Sequence, residues 1–235
     1  MAFIGVIPAR GGSKAIPGKN LAPCAGRPLL AYTAEAALQS HVLSRVILST
    51  DAEDIAAAGR GLGLEVPFLR PPELAADDTP MLGVLQHLLA WLTQSGQPVD
   101  ALVLLQPTSP LRGAVHIAEA VARFQTTGAA SLVSVTRVPH QFTPGSVMEL
   151  KHGSLTPWQP SQSNVLRRQD KPELYARNGP AVLIVRPDLV RNGQLYGDPN
   201  VGYVMSALDS VDVDGPEDLR LAELLLQARP ATRPA

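Results

Sequence analysis

The feature that most constrains this chain is an alternation. Near-continuous apolar runs of strand length are separated by segments of helical periodicity. Residues 3–7, 45–49, 64–69, 101–105 and 130–135 form the runs; residues 29–39, 52–58, 82–93 and 115–124 lie between them with apolar side chains at helical spacing. A strand that is apolar at every position is covered on both faces. Strand and helix in turn, joined by short loops, predict an α/β fold: a mostly parallel sheet with helices on both faces. Asp51, with Asp54 three residues on, is expected to cap the second helix. The glycine cluster at 59, 61 and 63 follows a helix and precedes a strand, the reverse of a dinucleotide-binding context, and reads as a helix C-terminus.

The alternation breaks at residues 139–178, which are rich in Pro, Gln, Ser and charge, with strand-like pieces only at 146–150 and 154–156. This stretch reads as an excursion from the core, a hairpin or arm. Apolar strands resume at 181–185 and 210–214, and a last helix spans 216–228 with Pro216 in its first turn. The chain therefore divides into one domain, residues 1–228 with 139–178 inserted, and a flexible tail, residues 229–235.

Charge and composition narrow the function. Twenty basic residues nearly balance 21 acidic ones, which argues against a nucleic-acid partner held by bulk attraction. Cys24 is the only cysteine, so no intramolecular disulfide and no cysteine-based zinc site can form. No apolar run approaches a membrane span. A soluble, cytoplasmic protein without a membrane partner is expected. The five histidines have no metal-ligand spacing, and no Gly-x-Ser-x-Gly elbow is present.

Three segments leave strand ends, where open α/β sheets place their ligands. The first carries Arg10, Gly11, Gly12, Ser13, Lys14, Lys19 and Asn20 after the opening strand. Adjacent glycines let backbone amides turn toward an anion, and Arg10, Lys14, Lys19 and Arg27 precede the first acidic residue, Glu35. A polyphosphate such as a nucleoside triphosphate meets both features, although a solvated glycine-rich turn has the same composition. It is not a Walker A loop, because Ser13 precedes Lys14 instead of following it. The second segment, 210–216, places Asp212 and Asp214 on one face of a strand, where Mg2+ shared with substrate phosphates would relieve their repulsion. The alternative there is a strand end whose second carboxylate caps the next helix. In the third, 105–112, two prolines fix the backbone while Gln106, Thr108, Ser109 and Arg112 present donors and acceptors suited to a polyhydroxylated ligand; a plain strand-to-helix loop with Ser109 as a cap is the alternative.

Together these segments resemble the acylneuraminate cytidylyltransferases, the CMP-sialic acid synthetases. The likeness extends through Ser49-Thr50-Asp51, Leu69-Arg70-Pro71 with Glu73 to Asp77, Gln106 to Arg112, Arg177-Asn178-Gly179 and Asp212-Val213-Asp214, in the family's order and spacing. The resemblance implies a Rossmann-like fold that activates a 2-keto-3-deoxy sugar acid, an N-acylneuraminate or related nonulosonate, with CTP. The products are a CMP-sugar and pyrophosphate. It implies Arg10, Lys14 and Lys19 as the catalytic cations and Gly11, Gly12, Ser13, Asn20, Arg70 and Asp77 as further nucleotide contacts. Gln106, Thr108, Ser109 and Asn178 would face the sugar, Arg168 or Arg177 its carboxylate, and Asp212 with Asp214 would bind Mg2+. The excursion at 139–178 resembles a dimerisation arm that reaches the partner's site, so a homodimer is expected; a lid closing on the same chain is the other reading. The alternative activity is that of the sister 3-deoxy-manno-octulosonate enzyme or another sugar nucleotidyltransferase. In the octulosonate enzyme a Ser-Thr-Arg run usually stands where this chain has Gly12-Ser13-Lys14.

Overall fold

The computed structural model describes residues 1–159 and 172–229. In chain order the elements are β1 (Phe3–Pro8), β2 (Pro23–Cys24), β3 (Arg27–Pro28), α1 (Leu29–Gln39), β4 (Arg45–Ser49), α2 (Glu53–Gly61), α3 (Met81–Gln94), β5 (Ala101–Leu104), α4 (Ala114–Thr127) and β6 (Ser131–Arg137). There follow β7 (Met148–Lys151), β8 (Ser154–Pro157), β9 (Tyr175–Arg177), β10 (Leu183–Val185), α5 (Pro187–Arg191), β11 (Asn200–Met205) and α6 (Pro216–Ala228).

The main sheet has the order β4-β1-β5-β10-β6-β11, with β9 beside the far end of β6. Strand β1 runs parallel to β4 and β5, and β11 parallel to β6, whereas β10 is antiparallel to both its neighbours. The sheet is thus mostly parallel, with one reversed strand inside it. Alternation along β1 separates two cores. Phe3 and Ile7 join Leu30 and Ala34 of α1, Ile55 of α2 and Ile117 and Phe124 of α4 on one face. Ile4 and Val6 join Leu85, Leu88 and Leu92 of α3 and Val190 of α5 on the other. A third, smaller cluster of Ile16, Cys24, Leu29, Val213 and Ala222 ties the loop after β1 to α6 and to the segment before it. Each fully buried aliphatic side chain contributes about 1.5–3 kcal/mol, so these layers dominate the fold's stability and fix the strand ends rigidly.

Several expected elements are corrected. Residues 64–69 form no strand: Glu65 makes a single bridge to Ile47, and Pro67, without an N–H, cannot extend the ladder. Residues 210–214 are also outside the sheet; the Val213 amide donates to the Thr108 carbonyl at 2.7 Å, and the buried Val213 side chain anchors the segment in the third cluster. The outer strand is instead β11, whose exposed Val204 and central Gly202 hide it from an apolar-run reading. Asp51 does not cap α2, which starts from Ala52 without a side-chain cap. The excursion does contain a hairpin, β7–β8, turning through His152 and Gly153 with positive φ of 48° and 81°. Arg229, the last described residue, makes an ion pair with Asp209 and donates to the Leu111 carbonyl at 2.9 Å.

Candidate active site

Because β4, β1 and β5 are parallel, the chain leaves all three at the same end of the sheet. The segments that follow them enclose a cleft of about 230 Å3, lined by Arg10, Ser13, Lys19 and Asn20 from the first loop. Arg70, Leu74, Asp77, Thr79, Met81 and Val84 line it from the stretch after β4, and Gln106, Pro107 and Thr108 from the stretch after β5.

The cation loop is held from below. The Asn20 side chain, nearly buried, donates to the Arg10 carbonyl at 2.9 Å, and the Gly11 amide donates to Asp51 Oδ1 at 3.0 Å. A Cβ at Gly11 would stand 2.9 Å from the Ala52 side chain, so the close approach of loop and strand end requires glycine there. Gly12 has open space around it. Lys19 Nζ donates to the Val213 carbonyl at 2.8 Å and lies 3.9 Å from the Asp214 carboxylate, which links the first segment to the second. Arg10 and Lys14 both pair with Asp77. Those two bonds hold the Asp77 carboxyl below its ordinary range, the Lys14 bond contributing most.

Arg70 is buried at the back of the cleft with Nη2 3.7 Å from Asp51, and its Nε and Nη2 have no hydrogen-bond partner. Burial lowers its pKa more than Asp51 raises it. An arginine whose donors are buried without acceptors is a receptor for a carbonyl or phosphate oxygen, since each unmet buried donor costs about 1–3 kcal/mol.

The Asp212 side chain is partly buried, and its Oδ1 has no partner. Burial and, less strongly, the Asp214 charge raise its pKa; the Thr108 hydroxyl and Lys19 pull the other way. Gly179, at φ +114°, sits so close that a Cβ there would be 3.4 Å from both Asp212 Oδ2 and Ser109 Oγ, itself buried and unpartnered. A carboxylate short of partners beside a second carboxylate is a donor set that fits a divalent cation. Asp214 is exposed, and among the described residues no group of three or more His, Cys, Asp or Glu side chains converges. Oxygens from a bound ligand would have to complete the coordination.

The remaining expected contacts divide. Gln106 and Thr108 line the cleft, and Ser109 lies behind it beside Gly179. Asn178 is buried and occupied by packing: it accepts from Ser134 Oγ at 2.6 Å and donates to Ser210 Oγ at 2.9 Å, binding β6 to the segment that carries Asp212. Arg177 turns to Tyr196, donating to its hydroxyl at 2.8 Å with the guanidinium 5.1 Å from the ring centroid. Arg168 lies outside the described residues. Two expected roles change. Asp51, expected as a helix cap, instead accepts from the Gly11 amide just beyond β4, and Arg112, expected to face a polyhydroxylated ligand, is turned into the fold. Arg112, wholly buried, donates to the Gln106 and Ala181 carbonyls at 3.1 and 2.9 Å and locks the third loop against the start of β10. Burial lowers its pKa to about 9.

The profile of the cytidylyltransferase family matches residues 4–196, most of the chain. The chain belongs to that family. The cytidylyltransferase is 34% identical to the CMP-N,N'-diacetyllegionaminic acid synthase of Legionella pneumophila over 97% of each chain. It is 34% identical to the N-acylneuraminate cytidylyltransferase of Escherichia coli, covering 97% of this chain and 52% of that one. It therefore spans nearly all of the first relative and about half of the second. Its fold is similar to that of a CMP:2-keto-3-deoxy-manno-octonic acid synthetase solved with CTP, at a TM-score of 0.72 and 17% identity over 97% of this chain and 99% of the other. Among the described residues no helix is long and apolar enough to cross a membrane.

Proposed function

We propose that this cytidylyltransferase transfers CMP from CTP to the anomeric hydroxyl of a nonulosonate, an N-acylneuraminate or a relative such as a legionaminate. The observation that carries this reading is the cleft itself: Arg10, Lys19 and the largely buried Arg70 line one space at the ends of β1 and β5. The legionaminate and neuraminate relatives support the sugar class.

In the reaction, the anomeric oxygen bonds to the α-phosphorus, the bond from that phosphorus to the oxygen bridging the β-phosphate breaks, and pyrophosphate leaves. The hydroxyl proton passes to solvent. Such a transfer needs positioning and charge neutralisation more than covalent help. Arg10, Lys14 and Lys19, with the amides of Gly11, Gly12 and Ser13, would bind the triphosphate and stabilise charge on the leaving group. Arg70 would donate to the acceptor edge of the pyrimidine, with Asn20 keeping the Arg10 carbonyl in place. Gln106, Thr108 and Ser109 would orient sugar hydroxyls. Asp212 and Asp214 would hold Mg2+, which when bound neutralises phosphate charge.

Residues 139–178 are read as an arm that meets a second copy of the chain. Phe142, Leu150, Leu155 and Trp158 are all more than 60% exposed, an unusual set of apolar surfaces for one hairpin and its flanks. A cytoplasmic, homodimeric enzyme fits this reading. The test is pyrophosphate release with CTP, UTP or GTP against a panel of nine- and eight-carbon acid sugars. Release with CTP and a nonulosonate alone supports the proposal; equal rates with UTP or GTP, or release only with the eight-carbon acid, count against it.

A further inference from the structure

The cations of the candidate triphosphate loop already hold an anion. Arg10 and Lys14 both pair with the Asp77 carboxylate, although Asp77 belongs to a different segment, 67 residues from Arg10. Asp77 lies in the connection from Leu74 to α3, between the exposed Ala76 and Asp78. The Asp77 side chain is 41% exposed, and Lys14, its partner, is 85% exposed. The link between the two segments at Asp77 is electrostatic. Elsewhere the cations of the site have their own anchors, Lys19 on Val213 and Asp214 and Arg70 beside Asp51, so Asp77 is the counter-ion specific to Arg10 and Lys14.

We propose that Asp77 is a specificity-determining residue: its carboxylate stands in for a phosphate in the empty site and sets a charge threshold that an incoming anion must exceed. The inference rests on the reading of the cleft as a triphosphate site. A triphosphate offers several oxygens and more than one charge to Arg10, Lys14 and the loop amides together, and so displaces one carboxylate. Orthophosphate offers a single small anion against a partner already tethered in the same chain, and is excluded. The same contact holds Arg10 and Lys14 side by side before the ligand arrives.

The inference separates Asp77 from a residue that touches the nucleotide directly. If Asp77 competes with phosphate, Asp77→Asn tightens polyphosphate binding; if Asp77 is a nucleotide ligand, the same change weakens it. Two partly exposed ion pairs of ordinary strength predict roughly a three- to thirtyfold gain. The experiment is calorimetric titration of the full chain and of its Asp77→Asn and Asp78→Asn variants with inorganic tripolyphosphate, orthophosphate, CTP and cytidine. For Asp77→Asn, tripolyphosphate and CTP should bind at least threefold more tightly, orthophosphate binding should become measurable, and cytidine should be unchanged. Asp78→Asn removes the same charge next door without the contact, and should change tripolyphosphate affinity by less than twofold. Equal gains in both variants would reduce the effect to the general field of the cleft and overturn the proposal, as would an unchanged or weaker tripolyphosphate affinity in Asp77→Asn. Unaltered cytidine binding shows that the variant is folded. Should the wild-type chain bind CTP while Asp77→Asn gains nothing, the threshold fails and the triphosphate site stands. If no protein binds either CTP or tripolyphosphate, both fail together.

Discussion

Replacing Asp212 by asparagine separates a metal ligand from a structural carboxylate, because the two roles predict opposite changes in stability. In the structure Asp212 Oδ1 is buried and unpartnered, and burial together with Asp214 raises the pKa. An ionised group in that position is a net cost of about 1–3 kcal/mol. Asp212 is only partly buried, so solvent screening puts the cost near the lower end, about 1 kcal/mol. Asparagine keeps the shape, retains an acceptor for the Thr108 hydroxyl and removes the charge. In a domain of this size about 1 kcal/mol moves the melting temperature by roughly 2–4 °C, so metal-free Asp212→Asn should melt higher than the wild type by that amount. Mg2+ at ten times its dissociation constant would stabilise the wild type by about 1.4 kcal/mol and the variant far less, cancelling or reversing the order. The pH dependence has a definite sign. A carboxyl whose folded pKa exceeds its unfolded value contributes stability that is complete below the unfolded value and is lost as pH rises through the folded one. The metal-free wild type should therefore lose stability on leaving the acidic carboxylate range, and the variant should lack that component. Scanning calorimetry in EDTA and in Mg2+, across pH, measures all of this. A variant that melts lower than the wild type in EDTA, with the same Mg2+ shift, would show that the charge is satisfied within the fold and would refute the reasoning.

Two further outcomes follow from the site. Lys14 is 85% exposed and touches only Asp77 among the described contacts, so Lys14→Ala should leave the melting temperature within the range of a surface change while turnover falls about 10²–10³ fold; steady-state kinetics showing an unchanged rate would return the loop to an ordinary solvated turn. If residues 139–178 complete a neighbouring site, mixing inactive Arg168→Ala and Lys14→Ala chains should restore part of the activity, and no recovery in a verified mixed dimer would assign each site to a single chain.

Much of this architecture was legible in the sequence because its parallel strands are buried on both faces. Residues 3–7 and 101–105 read as strands without ambiguity, since neither face meets water. A strand with one exposed face leaves no such mark: β11 alternates Val201 and Tyr203 with Gly202 and Val204, and no continuous apolar run extends along it. Residues 64–69 and 210–214 are apolar enough to be strands but pack as single tethers, the first stopped by Pro67 and the second pinned through Val213. The candidate site follows the same division. The loops after β1 and β5 could be placed because they leave readable strands, and the cations of the first loop stand out by sign. Partnerships across the chain, such as Asp77 with Arg10 or Arg112 with the Ala181 carbonyl, depend on topology and leave no local signal. The reversal of β10 is equally invisible in composition, because an interior antiparallel strand is as apolar as a parallel one.

In the proposed reaction the phosphorus attacked is the α-phosphorus of CTP and the attacking atom belongs to an acid sugar. Incubating the enzyme with a nonulosonate and CTP labelled at the α-phosphate, or separately at the γ-phosphate, and resolving the products follows both atoms. The α label should appear in a CMP-sugar from which alkaline phosphatase does not release it, and the γ label entirely in pyrophosphate. An α label recovered only in CTP, CDP or free CMP, or a γ label recovered in the sugar, would contradict that reaction.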